Sequence, residues 1–287
     1  MITRRRFLRF SVAALGAGAG LWLYAWRIEP HWIEVVRGPL RLPGLPAAWE
    51  GRTLVQLSDL HIGRSVDDAY LIGALRRVTD LEPDLLVFTG DLISYHRAVY
   101  AQIERVLAPC PRGRLATLGI LGNHDYGPGW SHLEIAERVV RMAASAGIEI
   151  LRNQVRVVGG LQVAGPDDYW GPRFNPRPAL AQLDPARPAI VLSHNPDSVD
   201  EPVWGAFQGW ILAGHTHGGQ CKPPFLPPPL LPVGNKRYTA GEFGLAPGRW
   251  LYINRGLGHL RRVRFNVRPE ITVFTLTGRT SSSKAAS

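Results

Sequence analysis

The chain has little cysteine, little lysine and no sustained block of either charge. Its 287 residues include two cysteines, Cys110 and Cys221. That is too few for a disulfide framework or a thiolate zinc cage, so any bound metal falls to His, Asp and Asn. Only three of the 33 cationic residues are lysine, and no run of three cations recurs after Arg9. The formal charge of +10 is concentrated, because residues 1–41 hold seven Arg against Glu29 and Glu34. The remainder is mildly basic, which argues against a nucleic-acid footprint and leaves no nucleic acid among the expected partners. An apolar content of 45% excludes global disorder. The length fits one large α/β domain or two small ones.

The N-terminus reads Thr3-Arg4-Arg5-Arg6-Phe7-Leu8-Arg9, followed by 17 uncharged residues from Phe10 to Trp26. This resembles a bacterial twin-arginine export signal. Ala17-Gly18-Ala19 offers small residues for cleavage, but the most apolar part, Leu21 to Trp26, follows it instead of preceding it. That order favours an uncleaved anchor, at the short limit for a spanning helix. Trp22, Tyr24, Trp26 and Trp32 are then placed as an interfacial aromatic belt, and the arginines keep the N-terminus in the cytoplasm with the body outside the cell membrane. The expected organisation is a signal or anchor over 1–27, a linker over 28–50 and a domain over 51–277. A disordered tail is expected over 278–287. Pro39, Pro43, Gly44 and Pro46 carry the linker reading.

Along the body, β-branched runs predict strands at 52–58, 84–89, 115–121, 155–158, 161–165, 189–193, 210–213, 250–253, 263–267 and 271–276. Helical periodicity predicts α-helices at 67–80, 96–108 and 131–146, the third capped by Ser131 with Glu134 at the capping-box position. The first half reads βαβαβα and the second is strand-rich, an α/β (α+β) order that predicts two packed sheets flanked by helices.

Five polar clusters fall just beyond predicted strand ends, where a sheet presents side chains to a cleft. They are Asp59-Leu60-His61, Gly90-Asp91, Gly122-Asn123-His124-Asp125, Ser193-His194-Asn195-Pro196 and Gly214-His215-Thr216-His217, and they hold five of the nine histidines. Imidazole, carboxylate and amide oxygen together suit divalent Zn, Mn or Fe. Asp59 and His61, two apart at a strand end, point the same way and can chelate one ion; His215 and His217 repeat the device. By contrast, His31, His96, His132 and His259 read as ordinary core or surface histidines, and Asp167-Asp168 after Gly165-Pro166 reads as a turn. Cys221 reads as a plain thiol. Trp130, Trp170 and Trp204 read as core, with Trp130 the best placed to meet a substrate.

In this order the five motifs resemble the calcineurin-like metallophosphoesterase superfamily over residues 52 to about 276. The stretch Gly214–Gln220 and the late segment Asn254–Gly258, with Arg264-Phe265-Asn266 and Arg268-Pro269-Glu270-Ile271-Thr272, resemble its exported bacterial branch. The resemblance implies a four-layer αββα sandwich of two mixed sheets. It implies that Asp59, His61 and His217 hold one metal, that Asn123, His194 and His215 hold a second, and that Asp91 bridges them. His124 is implied to meet the leaving oxygen as the catalytic residue. Two divalent ions (Mn, Zn or Fe) would clamp a phosphoryl group while a hydroxide between them attacks in line. Many members carry a second Asp where this chain has Ser94, so the partner that normally orients His124 is missing here.

Monoesters, diesters and pyrophosphates all suit such a site. The family includes phosphodiesterases and enzymes that cleave the pyrophosphate of UDP-2,3-diacylglucosamine in lipid A synthesis, so a lipid-linked or cell-envelope substrate is one expectation. That cleavage is cytoplasmic, whereas the signal here points outward. The rival reading is a non-catalytic metal-binding envelope protein on the same fold. Finally, residues 223–233 contain six prolines in eleven positions. This excludes a helix or an interior strand and predicts an extended surface loop whose Phe225, Leu226, Leu230, Leu231 and Val233 either dip into a membrane interface, with Lys236 and Arg237 at its head groups, or fold back onto the domain.

Overall fold

The computed structural model describes residues 3–246 and 248–278. Helix α1 (Arg4–Leu23) precedes β1 (Glu34–Arg41), β2 (Thr53–Leu57), α2 (Asp68–Thr79), β3 (Leu85–Thr89), α3 (Val99–Leu107), β4 (Ala116–Ile120), α4 (Leu133–Ser145) and β5 (Glu149–Ile150). The second half comprises β6 (Gln154–Val158), β7 (Leu161–Gly165), α5 (Arg177–Ala181), β8 (Ala189–Leu192), β9 (Gly209–Ala213), β10 (Gly241–Ala246), β11 (Arg249–Ile253) and β12 (Glu270–Thr277).

These strands form two six-stranded mixed sheets, ordered β1-β12-β2-β3-β4-β5 and β10-β11-β9-β8-β7-β6. Period-two alternation divides their side chains between three cores. In β2, Leu54 faces the other sheet, while Val55 and Leu57 meet the helices. In β9, Trp210 and Leu212 face the first sheet, whereas Ile211 and Ala213 point outward beneath Ala179, Trp204 and Tyr238. Amphipathic α2, α3 and α4 cover the first sheet with Leu71, Leu75, Ile103, Val106, Ile135 and Val139. The far face of the second sheet is covered by short α5 and irregular turns. The four-layer order is therefore αββα, with a thin fourth layer.

Three local expectations differ from the structure. The segment expected as a linker, 28–50, belongs to the domain, because β1 runs parallel to β12 over the whole register from Glu34↔Glu270 to Arg41↔Thr277. Gly38 and Pro39 mimic a loop signal, but β1 is an edge strand, where a missing N–H is tolerated. Leu40, Leu42 and Trp49 are buried in the inter-sheet core, and Trp49 Nε1 donates to the carbonyl of Gly159 at 3.0 Å. Next, α4 begins after His132 rather than Ser131, and no side chain caps it. Finally, residues 263–267 form no strand; Phe265 makes one isolated bridge to Cys221. The tail expected to be disordered lies outside the described residues apart from Gly278.

None of the residues of α1 is buried, and the helical stretch Arg4–His31 is long and apolar enough to cross a membrane. Its end is moored to the body. Ala25 and Glu29 are buried, Ala25 O accepts from Arg264 N at 2.9 Å, and Glu29 Oε1 accepts from Val267 N at 2.6 Å. A chain shortened to begin at residue 24 is expected to melt at the same temperature as the full chain. One beginning at residue 43 loses β1 and the buried Leu40 and Leu42, at about 2–5 kcal/mol for each leucine, and its Tm should fall by about 10 °C or more. Equal melting of the two shortened chains, read by calorimetry, contradicts the placement of β1.

Candidate metal centre

The two sheets bring the C-terminal ends of their central strands to one edge. Asp59 and His61 follow β2, Asp91 follows β3, Asn123 and His124 follow β4, His194 follows β8, and His215 and His217 follow β9. Asp59, His61, Asp91, His215 and His217 all adopt positive φ, between 47° and 69°. Non-glycine residues rarely do so, and such strain clusters at sites that the surrounding structure holds in place. The glycine of Gly90-Asp91 has a steric reason: at φ 92° a Cβ would meet His194 Nδ1 at 2.6 Å. Only a residue without a side chain lets the first sheet's loop approach the second sheet's histidine this closely.

Two groups of ligand atoms result, Asp59/His61/His217 and Asp91/His194/His215, each with its atoms within 4.8 Å of one another. In the first, His61 Nε2 lies 3.0 Å from His217 Nε2, which lies 3.2 Å from Asp59 Oδ1. In the second, His194 Nε2 lies 3.2 Å from both His215 Nδ1 and Asp91 Oδ2. Ligands of one tetrahedral zinc stand about 3.3 Å apart, so both groups have the spacing of a shared ion. Asp91 Oδ2 is also 3.6 Å from His61 Nε2, which sets it between the groups. Asn123 adds the most direct indication: its Oδ1 is buried and has no hydrogen-bond partner among the described residues. A buried amide oxygen is rarely left unpaired without a ligand to meet. This donor set fits two divalent ions.

The other ring nitrogens are fixed by hydrogen bonds that aim the ligand nitrogen inward. His194 Nδ1–H donates to Thr89 O at 2.7 Å and His215 Nε2–H to Pro232 O at 2.8 Å. Ser94 Oγ lies 3.0 Å from His61 Nδ1, so the serine in place of the second aspartate supports His61 and leaves His124 aside. Ser58 Oγ donates to Asp59 Oδ2 at 2.5 Å. His124 is half-buried, its backbone N–H donates to Asp91 Oδ1 at 2.9 Å, and its ring packs edge-on against His61 and Trp130. Among the described residues nothing hydrogen-bonds the His124 ring. The neighbouring Asp125 faces away and ties the loop together by accepting from Gly122 N and Ile93 N.

Electrostatics separate the groups. Burial pushes His61 and His215 down to about 3, which keeps these rings neutral, as metal ligation requires. Burial opposes ionisation of Asp59 and Asp91 as well, but His217 for the first and His194 for the second outweigh it and hold both carboxyls low. Burial likewise disfavours a charged His194, yet the Asp91 carboxylate raises its pKa well above the usual value. A divalent ion would replace that proton as the countercharge.

Several neighbours were not readable as site residues. Asp168 does form the expected turn, accepting from Trp170 N through Oδ2, but its buried Oδ1 has no hydrogen-bond partner among the described residues. Burial lifts its pKa to about 7, with His194 and Asp91 among the charges it feels. Trp170 stacks on Trp130 at 4.9 Å and meets His215 edge-on at 4.5 Å, so the two tryptophans form one wall of the mouth. Arg264 is completely buried beside His217, and its guanidinium donates to the carbonyls of Arg255, Gly256 and Gly258. None of these contacts follows from local pattern. His31, His96, His132 and His259 lie outside both ligand groups.

Fold and site together define a hydrolase of the two-metal phosphoester class. The family described as Calcineurin-like phosphoesterase matches residues 52–219, and the chain belongs to it. Phosphodiesterase YaeI of Escherichia coli K12 is 34% identical over 288 residues, spanning 96% of this chain and all of that protein. UDP-2,3-diacylglucosamine pyrophosphatase LpxG of Chlamydia muridarum is 29% identical over 91% of this chain and 94% of its own length. A bovine transmembrane protein with a metallophosphoesterase domain is 28% identical over 86% of this chain and 57% of its own.

Ligand loss should be graded. Asn123→Ala is expected to remove one ion per chain, and Asp91→Asn to remove both. Ser94→Ala should retain both ions with affinity weakened about 10–100-fold, the usual effect of losing a ligand's supporting hydrogen bond. Elemental analysis of dialysed protein reads the result. Equal metal content in Asp91→Asn and the parent contradicts the shared carboxylate.

Proposed function

We propose that this chain is an exported, membrane-anchored enzyme that hydrolyses phosphodiester or pyrophosphate bonds with two divalent ions, and that its substrate is amphiphilic. The observation that carries this reading is the pair of ligand groups meeting at Asp91 Oδ2, with the orphaned Asn123 Oδ1 beside them.

In this reading Asp59, His61 and His217 hold one ion, Asn123, His194 and His215 the other, and Asp91 both. Such ions, when bound, neutralise the phosphoryl oxygens and activate water at neutral pH. The protein's own work is to fix these ligands by the hydrogen bonds from Thr89, Ser94 and Pro232 and to present His124 at the mouth. His124 protonates the leaving oxygen; its ring is half-buried and without a competing partner, and its backbone is tied to the same carboxylate that both ions share. With Ser94 directed at His61, the orientation of His124 rests on its packing against His61 and Trp130.

The substrate class follows from the address and the relatives. The twin-arginine pattern and the apolar α1, read as an uncleaved anchor, support a body beyond the cytoplasmic membrane, with the stacked Trp22 and Trp26 in the interface. The names of two relatives, phosphodiesterase and UDP-2,3-diacylglucosamine pyrophosphatase, pair this chemistry with diesters and with a lipid-linked pyrophosphate.

Activity on bis(p-nitrophenyl) phosphate should vanish in chelator and return with Mn or Zn. Full activity after exhaustive chelation contradicts the two-metal reading. A protein that holds two ions yet hydrolyses no diester, monoester or pyrophosphate supports the non-catalytic alternative. For the address, replacing Arg4 and Arg5 by Lys should leave folded protein in the cytoplasm, since the export machinery reads the arginine pair itself. Unchanged export, read by cell fractionation, contradicts the twin-arginine assignment.

A further inference from the structure

Residues 223–232 leave the second metal loop and return to it. Their root is pinned beside the end of the N-terminal helix: Lys222 N donates to Phe265 O and Phe265 N to Gln220 O, both at 2.9 Å. The preceding residue, Arg264, donates its own N–H to Ala25 O, and the guanidinium of Arg262 lies 5.9 Å from the Trp26 ring centre. Only Arg264 and Phe265 separate the point where α1 meets the body from the start of this loop. The far end is tied to the metal centre, because Pro232 O accepts from His215 Nε2–H. In between, Pro228 packs on Gly219, a position at φ 79° with no room for a Cβ.

The loop is thus seated at both ends, yet it turns three of its four apolar side chains outward, with Leu231 half-buried. Phe225 is fully exposed, with Leu226 at 60% and Leu230 at 74%. Phe225 holds this position at φ 65°, a conformation an aromatic residue rarely adopts. No acidic residue occurs between Cys221 and Thr239, whereas Lys222, Lys236 and Arg237 are exposed there and Arg261 lies beside the root. An apolar tip flanked by Lys222, Arg237 and Arg261, with Asp197 and Asp200 confined to the Gly234–Tyr238 end, at the foot of the apolar N-terminal helix has the composition of an interfacial segment on an anionic bilayer.

We propose that the loop 223–232 is a lip seated in the bilayer that holds α1, so that the metal centre opens along the membrane surface. This deepens the anchored reading above and rests on it. His215 then stands between the lip and the metal, and a phosphoester whose apolar part stays in the bilayer reaches the ions without leaving the lipid.

The full chain, in a Cys110→Ser and Cys221→Ser background, is reconstituted in vesicles of phosphatidylethanolamine and phosphatidylglycerol. Nitroxide labels are placed on Phe225→Cys and, separately, Leu230→Cys. Ala186→Cys, just before the N-terminal end of β8 and away from the metal edge, serves as reference. Collision with oxygen against a water-soluble nickel chelate should place both loop labels about 5–10 Å below the lipid phosphates, the depth of an interfacial segment, with the reference in water. Loop labels as open to nickel as the reference, on protein that co-sediments with the vesicles, overturn the lip alone. A chain that does not co-sediment overturns the anchor and the lip together. Because depth is read without turnover, a chain inactive on phosphodiesters would fail the hydrolase reading and leave this result standing.

Discussion

Oδ1 of Asp91 is committed to the backbone N–H of His124, which leaves Oδ2 facing His61 from one sheet and His194 from the other. That arrangement exists only because the two sheets pack with the C-terminal ends of β2, β3, β4, β8 and β9 at a common edge. It demands close approach, supplied by Gly90, and it demands that the ligand loops hold strained backbone. It also concentrates buried carboxylates in one place, where each needs a countercharge to remain ionised, beside His61 and His215, which burial keeps neutral. Two divalent ions would answer that demand, which would make the chemistry of the site and the stability of the inter-sheet edge one problem.

The same edge explains how the ends of the chain are used. β1 and β12, from opposite ends of the sequence, run side by side and complete the first sheet. The turn between α1 and β1 is fastened to the segment carrying Arg264, whose guanidinium braces the Gly256–Gly258 loop beneath Asp59 and His217. The apolar N-terminal helix is thereby connected, through one buried arginine, to the first group of candidate metal ligands. The second group is linked, through His215 and Pro232, to the proline-rich loop. Both groups of ligands thus lead back to the side of the molecule where α1 emerges.

Much of this was legible in the sequence because the ligand types occur in short runs directly after apolar strands. Asp59 and His61, or His215 and His217, are local patterns, and their order along the chain carries the family resemblance. What was not legible depends on tertiary neighbours. β1 is disguised by Gly38 and Pro39, whose loop-like character is harmless only on an edge strand. Ser94 occupies a position from which sequence pattern predicts loss of a partner for His124; in three dimensions it supports His61. Arg264 lies in a stretch that reads as a strand, yet its role comes from the carbonyls it meets. Asp168 reads correctly as a turn residue, and nothing local indicates that one of its oxygens is left unpaired near His194.

Sharing of the Asp91 carboxylate by two ions can be read by low-temperature electron paramagnetic resonance of the protein loaded with two equivalents of Mn(II). The spectrum of an exchange-coupled pair is expected, since ions joined through Asp91 would lie close enough to interact magnetically. A spectrum of isolated Mn(II) ions at full loading would contradict the shared ligand, and with it the account of how the two sheets meet.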